Sequence, residues 1–205
     1  LKVARNTLPS KKITVVFEWI PQELLPELQL YLKGASSLKH FLSLLKEKNF
    51  WNFNLSLYGR LLSFCKKNHI KILLPEHKNS GDLPLKERDS LISKILIQKK
   101  KDSPQNKFFV FYGAYHLLGP EHLGDLIQQK GFATTVFTGF FDKAFWRAYK
   151  EAPLFQMVQL EENIFYWLSD TPLERNQKIL EDWKATGPSW EEAKKQFEEE
   201  ESFFL

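Results

Sequence analysis

The segment Ile13 to Glu18 (ITVVFE) constrains this chain most, because it is a short run of β-branched and apolar residues without alternation. Alternation marks a strand with one wet face. Its absence over so short a run predicts a strand buried on both faces, as in a parallel sheet covered by helices. Two further runs share that character. Ile70 to Leu74 (IKILL) follows a stretch in which Phe53, Leu57, Leu61, Phe64 and Cys65 keep helical spacing. Phe108 to Tyr112 (FFVFY) follows a second helical stretch, Leu85 to Gln98, and a polar loop containing Pro104. Strands alternating with helices predict an α/β fold built on a mainly parallel sheet flanked by helices.

Proline and glycine supply the punctuation. Pro21 suits a first helical turn, Pro26 is expected to kink or split the helical region Gln22 to Leu32, and Gly34 ends it. A further helix starts after Ser36 or Ser37. Pro120 to Lys130, bracketed by Gly119 and Gly131, reads as a helix, and Ala133 to Thr138 as a fourth strand arriving by the usual crossover length. Met157 to Leu160 and Ile164 to Leu168 flank Glu161-Glu162-Asn163, which predicts a C-terminal β-hairpin at a sheet edge. The tail reads as a helix from Leu173 to Trp183, a Gly187-Pro188 break, and a second helix from Trp190 to Phe204 with a Ser189/Glu192 capping box. The expected division is an α/β domain over residues 1–170 and a helical extension over 171–205.

Composition narrows the function classes. The 18 phenylalanines can cover a flat apolar ligand, although filling a core is their commoner use. A single cysteine, Cys65, excludes an internal disulfide and a multi-cysteine zinc site, and its apolar setting predicts an inert buried thiol. Net charge is +4, but Glu191 to Leu205 carries six Glu and two Lys, which leaves +8 on the remainder. The sharpest basic cluster, Lys99 to Lys101, reads as the solvated end of a helix, where cations complement the dipole, so nucleic acid is not the expected partner. No stretch reaches the ~18 apolar residues of a membrane span. Because the only methionine is Met157, the chain reads as processed, trimmed or a fragment of something longer, and no apolar leader follows a basic start. The compartment stays open between the cytoplasm and a membrane anchor supplied by an upstream lipoprotein segment.

In a parallel α/β sheet the ligand crevice lies beyond the carboxyl ends of the strands. The first strand ends in Glu18, the second runs into Pro75-Glu76-His77, and the third into Gly113-Ala114-Tyr115-His116. Glu18 either meets solvent or is shielded, and a shielded carboxylate needs a cation or a proton. Arg88 stands four and seven residues before Ile92 and Ile95, on the sheet-facing side of its helix. Its partner is Glu18, an anionic ligand group held by two hydrogen bonds, or water reached past the apolar stripe. His116 follows a strand and a glycine. It is a metal ligand or proton shuttle on one reading and a satisfied polar residue on the other. Glu76 and His77 are secondary-site candidates, whereas His69 and His122 read as surface residues.

Taken together, VVFEWIP at 15–21, LKERDSLISKIL at 85–96 and FFVFYGAYHLLGPEHLGDLIQQKGF at 108–132 resemble the ordered signatures of the ChaN-like branch of the Tiki superfamily. The resemblance spans roughly the middle two-thirds of the chain, and on it Glu18, Arg88, Gly113 and His116 match the family's strand-end Glu, helical Arg and Gly-x-x-His. An earlier Gly-x-x-His normally precedes the Glu strand. The residues before Ile13 contain neither glycine nor histidine, which the reading attributes to truncation.

Three functions follow as implications of the resemblance. The leading one is a bacterial ChaN-like haem-binding domain linked to iron uptake, with Tyr115 and His116 as the first iron-ligand candidates, Tyr58 and Tyr112 behind them, and Arg88 for the propionates. A divalent-metal-dependent protease or esterase would instead use His116 and Glu18 at the metal, with Glu18, Arg88 and His116 as its catalytic set. The third is a non-catalytic module that binds a second copy or another partner through the acidic C-terminal helix, whose apolar stripe is Trp190, Ala193, Phe197 and Phe204.

Overall fold

The computed structural model describes residues 6, 8–18, 20–47, 55–138 and 142–186. The chain divides into two compact units, Leu1–Gly113 and Ala114–Leu205.

In the first unit, strand β1 (Ile13–Phe17) is central, with β2 (Lys71–Leu73) and β3 (Lys107–Phe111) parallel to it on either side. Val15 pairs with Ile72 on one side and Phe109 on the other. All five residues of β1 are buried, which is why its sequence does not alternate, and its one polar side chain, Thr14, accepts the Asn106 side-chain amide at 3.5 Å. Helices α1 (Leu25–Lys33), α2 (Leu38–Glu47), α3 (Leu55–Lys67) and α4 (Leu85–Asp102) complete the unit. Leu28, Tyr31, Phe41, Leu45, Leu62 and Cys65 share one apolar core with β1. The thiol of Cys65 is pushed up to about 12 by burial, the inert state its setting predicts.

Of the two outcomes expected at Pro26 the region is split and not kinked. The proline sits in the first turn of α1, behind a short 3₁₀ turn at Gln22–Leu24, where its missing N–H costs nothing. Gly34 closes α1 in the left-handed conformation at φ 84°. The Ser37 hydroxyl accepts the His40 N–H at 3.1 Å and starts α2.

The second unit contains α5 (Ala114–Leu117), α6 (Leu123–Gln128), β4 (Val136–Thr138), α7 (Asp142–Glu151), β5 (Gln156–Glu161), β6 (Ile164–Leu168) and α8 (Pro172–Thr186). The hairpin forms as expected: β5 and β6 are antiparallel around Glu162-Asn163. The fourth strand, however, does not join β1 to β3. It lies parallel to β6 in a separate sheet of order β4-β6-β5. Its middle residue, Phe137, is exposed, so β4 lacks the two-sided burial of β1. Tyr166, Leu168, Val158 and Leu160 point inward with Phe145 and Ala148 of α7. Phe137 and Phe165 stack on the other face, their ring centres 5.7 Å apart.

The helix expected over Pro120 to Lys130 is shorter at both ends, because Gly119 and Glu121 both take positive φ, at 92° and 66°, and delay its start. His122, read as a surface residue, is buried instead. It immediately precedes Leu123 and Gly124, which face inward and carry it with them. Thr171 and Glu174 form a reciprocal cap on α8: the Thr171 N–H donates to Glu174 Oε2 at 2.8 Å, and the Glu174 N–H to Thr171 Oγ1 at 3.2 Å. The second tail helix and its Ser189/Glu192 box lie outside the described residues. Among those described, no helix is long and apolar enough to cross a membrane.

Phe17 is fully buried in the central strand and Leu30 is 51 % exposed. Phe17→Ala is therefore expected to cost about 3–5 kcal/mol and Leu30→Ala no more than ~0.5 kcal/mol, measured by urea unfolding. Equal losses would contradict the placement of the core.

Candidate functional site

The order β2-β1-β3 brings the ends of the first unit's three strands side by side, and each end delivers a polar group. Glu18 leaves β1 with its N–H donating to Phe111 O at 3.3 Å, so it remains in register with the end of β3. Its Oε2 accepts the backbone N–H of Gly113 at 2.6 Å. Glu76, three residues beyond β2, is anchored by its own carbonyl, which accepts the Gln22 N–H at 2.6 Å.

Arg88 joins the two. Its Nη2 donates to Glu76 Oε2 at 2.7 Å and lies 3.7 Å from Glu18 Oε1. Helix α4 turns Asp89, Ile92, Ser93 and Leu96 fully inward, and Arg88 occupies the edge of that stripe. The carboxylates are 8 % and 6 % exposed and the arginine side chain 16 %. A guanidinium shielded this far is held by its ion pairs and does not snorkel to water. The shorter contact belongs to Glu76, which periodicity ranked below Glu18.

Two carboxylates share one guanidinium, so the cluster carries a formal charge of −1 with Glu18, Glu76 and Arg88 ionised. The Tyr112 hydroxyl donates to the Glu76 side chain, and Arg88 Nε is buried without a hydrogen-bond partner among the described residues. A buried polar atom of this kind costs about 1–3 kcal/mol unless water or a ligand satisfies it.

Two tyrosines border it. Burial, then the charges of Glu76 and Glu18, push the Tyr112 phenol far above the ordinary tyrosine range. Burial and then Glu18 raise that of Tyr58 as well. Both stay protonated at neutral pH. His77 is exposed, its Nδ1 3.5 Å from Glu23 Oε1, outside the ion-paired cluster. Asp89 is a fully buried carboxylate that periodicity passed over; its position three residues before Ile92 was the available signal.

Tyr115 and His116 belong to the second unit. They occupy α5, where Tyr115 packs against the apolar core and His116 is buried. Among the described residues no three His, Cys, Asp or Glu side chains gather as a metal-holding group.

Residues 1–74 match the family model described as haem-binding uptake, Tiki superfamily, ChaN. The match covers β1, Glu18, Tyr58 and all of β2, and supports a ChaN-like domain in this part of the chain. No curated protein and no solved structure matches the chain.

Removing Arg88 would leave two buried carboxylates facing each other. Arg88→Met is expected to cost about 3–5 kcal/mol in urea unfolding, and Arg88→Met combined with Glu76→Gln less than the sum of the separate changes. Additive losses would show that the pair is not coupled. At alkaline pH the phenol of Tyr112 ionises more readily in the unfolded chain. Its contribution to stability is therefore intact below the ordinary value of 10.0 and is lost as pH rises above it. Tyr112→Phe is expected to flatten the fall in stability between pH 9 and 11, followed by unfolding with absorbance at 295 nm.

Proposed function

We propose that this chain, with its ChaN-like domain over residues 1–74, binds haem in the service of iron uptake, and that Tyr115 and His116 supply the iron ligand. The family match carries the reading. Haem needs one or two axial donors, flat apolar cover, and cations or donors for its propionates. Tyr58 and Tyr112 are held protonated by burial and by neighbouring carboxylates, which disfavours either as a phenolate donor. Tyr115 and His116 lie on α5, in the unit that also exposes Phe137 and Trp167 on one sheet face. In this reading Arg88, already bound to Glu76, orders the strand ends, and its unpartnered Nε is what remains for an anionic group.

A second reading is favoured by one observation, the convergence of two nearly buried carboxylates on Arg88. In a hydrolase, Glu18 or Glu76 would take a proton from the attacking water and Arg88 would stabilise the developing oxyanion.

Adding hemin is expected to produce a shifted, saturable Soret band. Tyr115→Phe and His116→Ala should each weaken binding tenfold or more, and Tyr112→Phe should leave it unchanged. A Soret band identical to that of free hemin at every protein concentration would sink the haem reading. Turnover of ester or peptide substrates, dependent on Glu18 and Arg88 and compared with and without divalent metal, would favour the second.

A further inference from the structure

Helix α8 shows two different sides. Arg175 lies over the ring of the core residue Phe145 at 4.8 Å, and Ile179, one turn on, is half-buried, so this side faces the second unit's core. The Thr171/Glu174 cap and the ion pair of Lys178 with Asp170 at 2.5 Å hold the start of the helix. Leu173 and Leu180 fall on another side. They are seven residues apart, close to two full turns, so they form one stripe, and they are 67 % and 52 % exposed.

We propose that this stripe is the docking surface for the chain's own C-terminal segment, Trp190 to Phe204, which folds back on α8 as the second arm of a helical hairpin. The connection suits it: Gly187-Pro188-Ser189 leaves three residues between the end of α8 and Trp190, within the roughly 2–5 that join antiparallel helices. The lengths also match, since α8 has 15 residues and Trp190 to Phe204 has 15.

The register is the sharpest indication. Leu180 and Leu173 stand eight and fifteen residues before Pro188, and Phe197 and Phe204 stand nine and sixteen after it. An antiparallel pair turning there sets Phe197 opposite Leu180 and Phe204 opposite Leu173, each arm repeating its large apolar residue at the same interval. A slip of one turn would set Phe197 against Asn176 or Gln177 instead. A helix of about 15 residues is marginal alone in water, so the segment needs a partner for its apolar stripe. The six Glu and two Lys between Glu191 and Leu205 supply its wet side. In this arrangement the tail is part of the second unit's own packing, and its apolar stripe is not open to a second copy.

The test is hydrogen exchange of the full chain, read by NMR. Amides of residues 191–203 are expected to exchange at least tenfold more slowly than in an unstructured chain. Leu173→Ser with Leu180→Ser, both at exposed positions, should abolish that protection and leave the amides of β5 and β6 unchanged. Phe197→Ser with Phe204→Ser should in turn speed exchange within α8 at least tenfold. Register is read separately by oxidation: Leu180→Cys with Phe197→Cys should close an intrachain disulfide and Leu173→Cys with Phe197→Cys should not, while the buried Cys65 takes no part. The proposal is overturned if the tail amides exchange as an unstructured chain, if the leucine substitutions leave their protection intact, or if Phe137→Ser with Trp167→Ser abolishes it instead. Equal closure of both cysteine pairs overturns it too, as does protection lost on dilution, which would make the docked segment that of a second copy.

Discussion

Two-sided burial of Ile13–Phe17 is the constraint on which the first unit rests. A strand with no exposed face requires a neighbour on each edge and helices on each side, and the chain supplies both in parallel. That choice fixes the direction of all three strands. Their carboxyl ends fall at one edge, and the polar residues that follow them have nowhere else to gather. Glu18, Glu76 and the Gly113 amide meet there through the sheet's own register, and Arg88 arrives from α4 to balance them.

The energetics of that cluster favour a functional reading over a purely structural one. A buried pair of carboxylates with a single guanidinium contributes little net stability, and apolar residues of similar volume would do as well. Arg88 Nε, unmatched among the described residues, makes it costlier still. Retaining such a group makes physical sense where something enters the site and completes it.

Much of the fold was legible because it rests on local rules. The two-sided strand, the Gly34 cap, the helix after Ser37 and the hairpin around Glu162-Asn163 all follow from short-range chemistry. What periodicity could not supply was long-range choice. It could not say that β4 would pair with β6, nor that Glu76, twelve residues before Arg88, would lie nearer to it than Glu18. The delayed start of α6 arose from positive φ at Gly119 and at Glu121, and glutamate is a residue type that gives no warning of it. Tyr115 and His116 belong to the second unit, Glu18 and Arg88 to the first, and of the four only Glu18 lies within the family match over residues 1–74.

The proposed ligation of haem iron by this chain's own side chains is tested by electron paramagnetic resonance of the full chain with one equivalent of ferric haem. The expected spectrum is a ferric signal with the ligand field of a phenolate or imidazole donor, altered in Tyr115→Phe or His116→Ala. A spectrum the same as that of hemin in detergent, and indifferent to both substitutions, would contradict it.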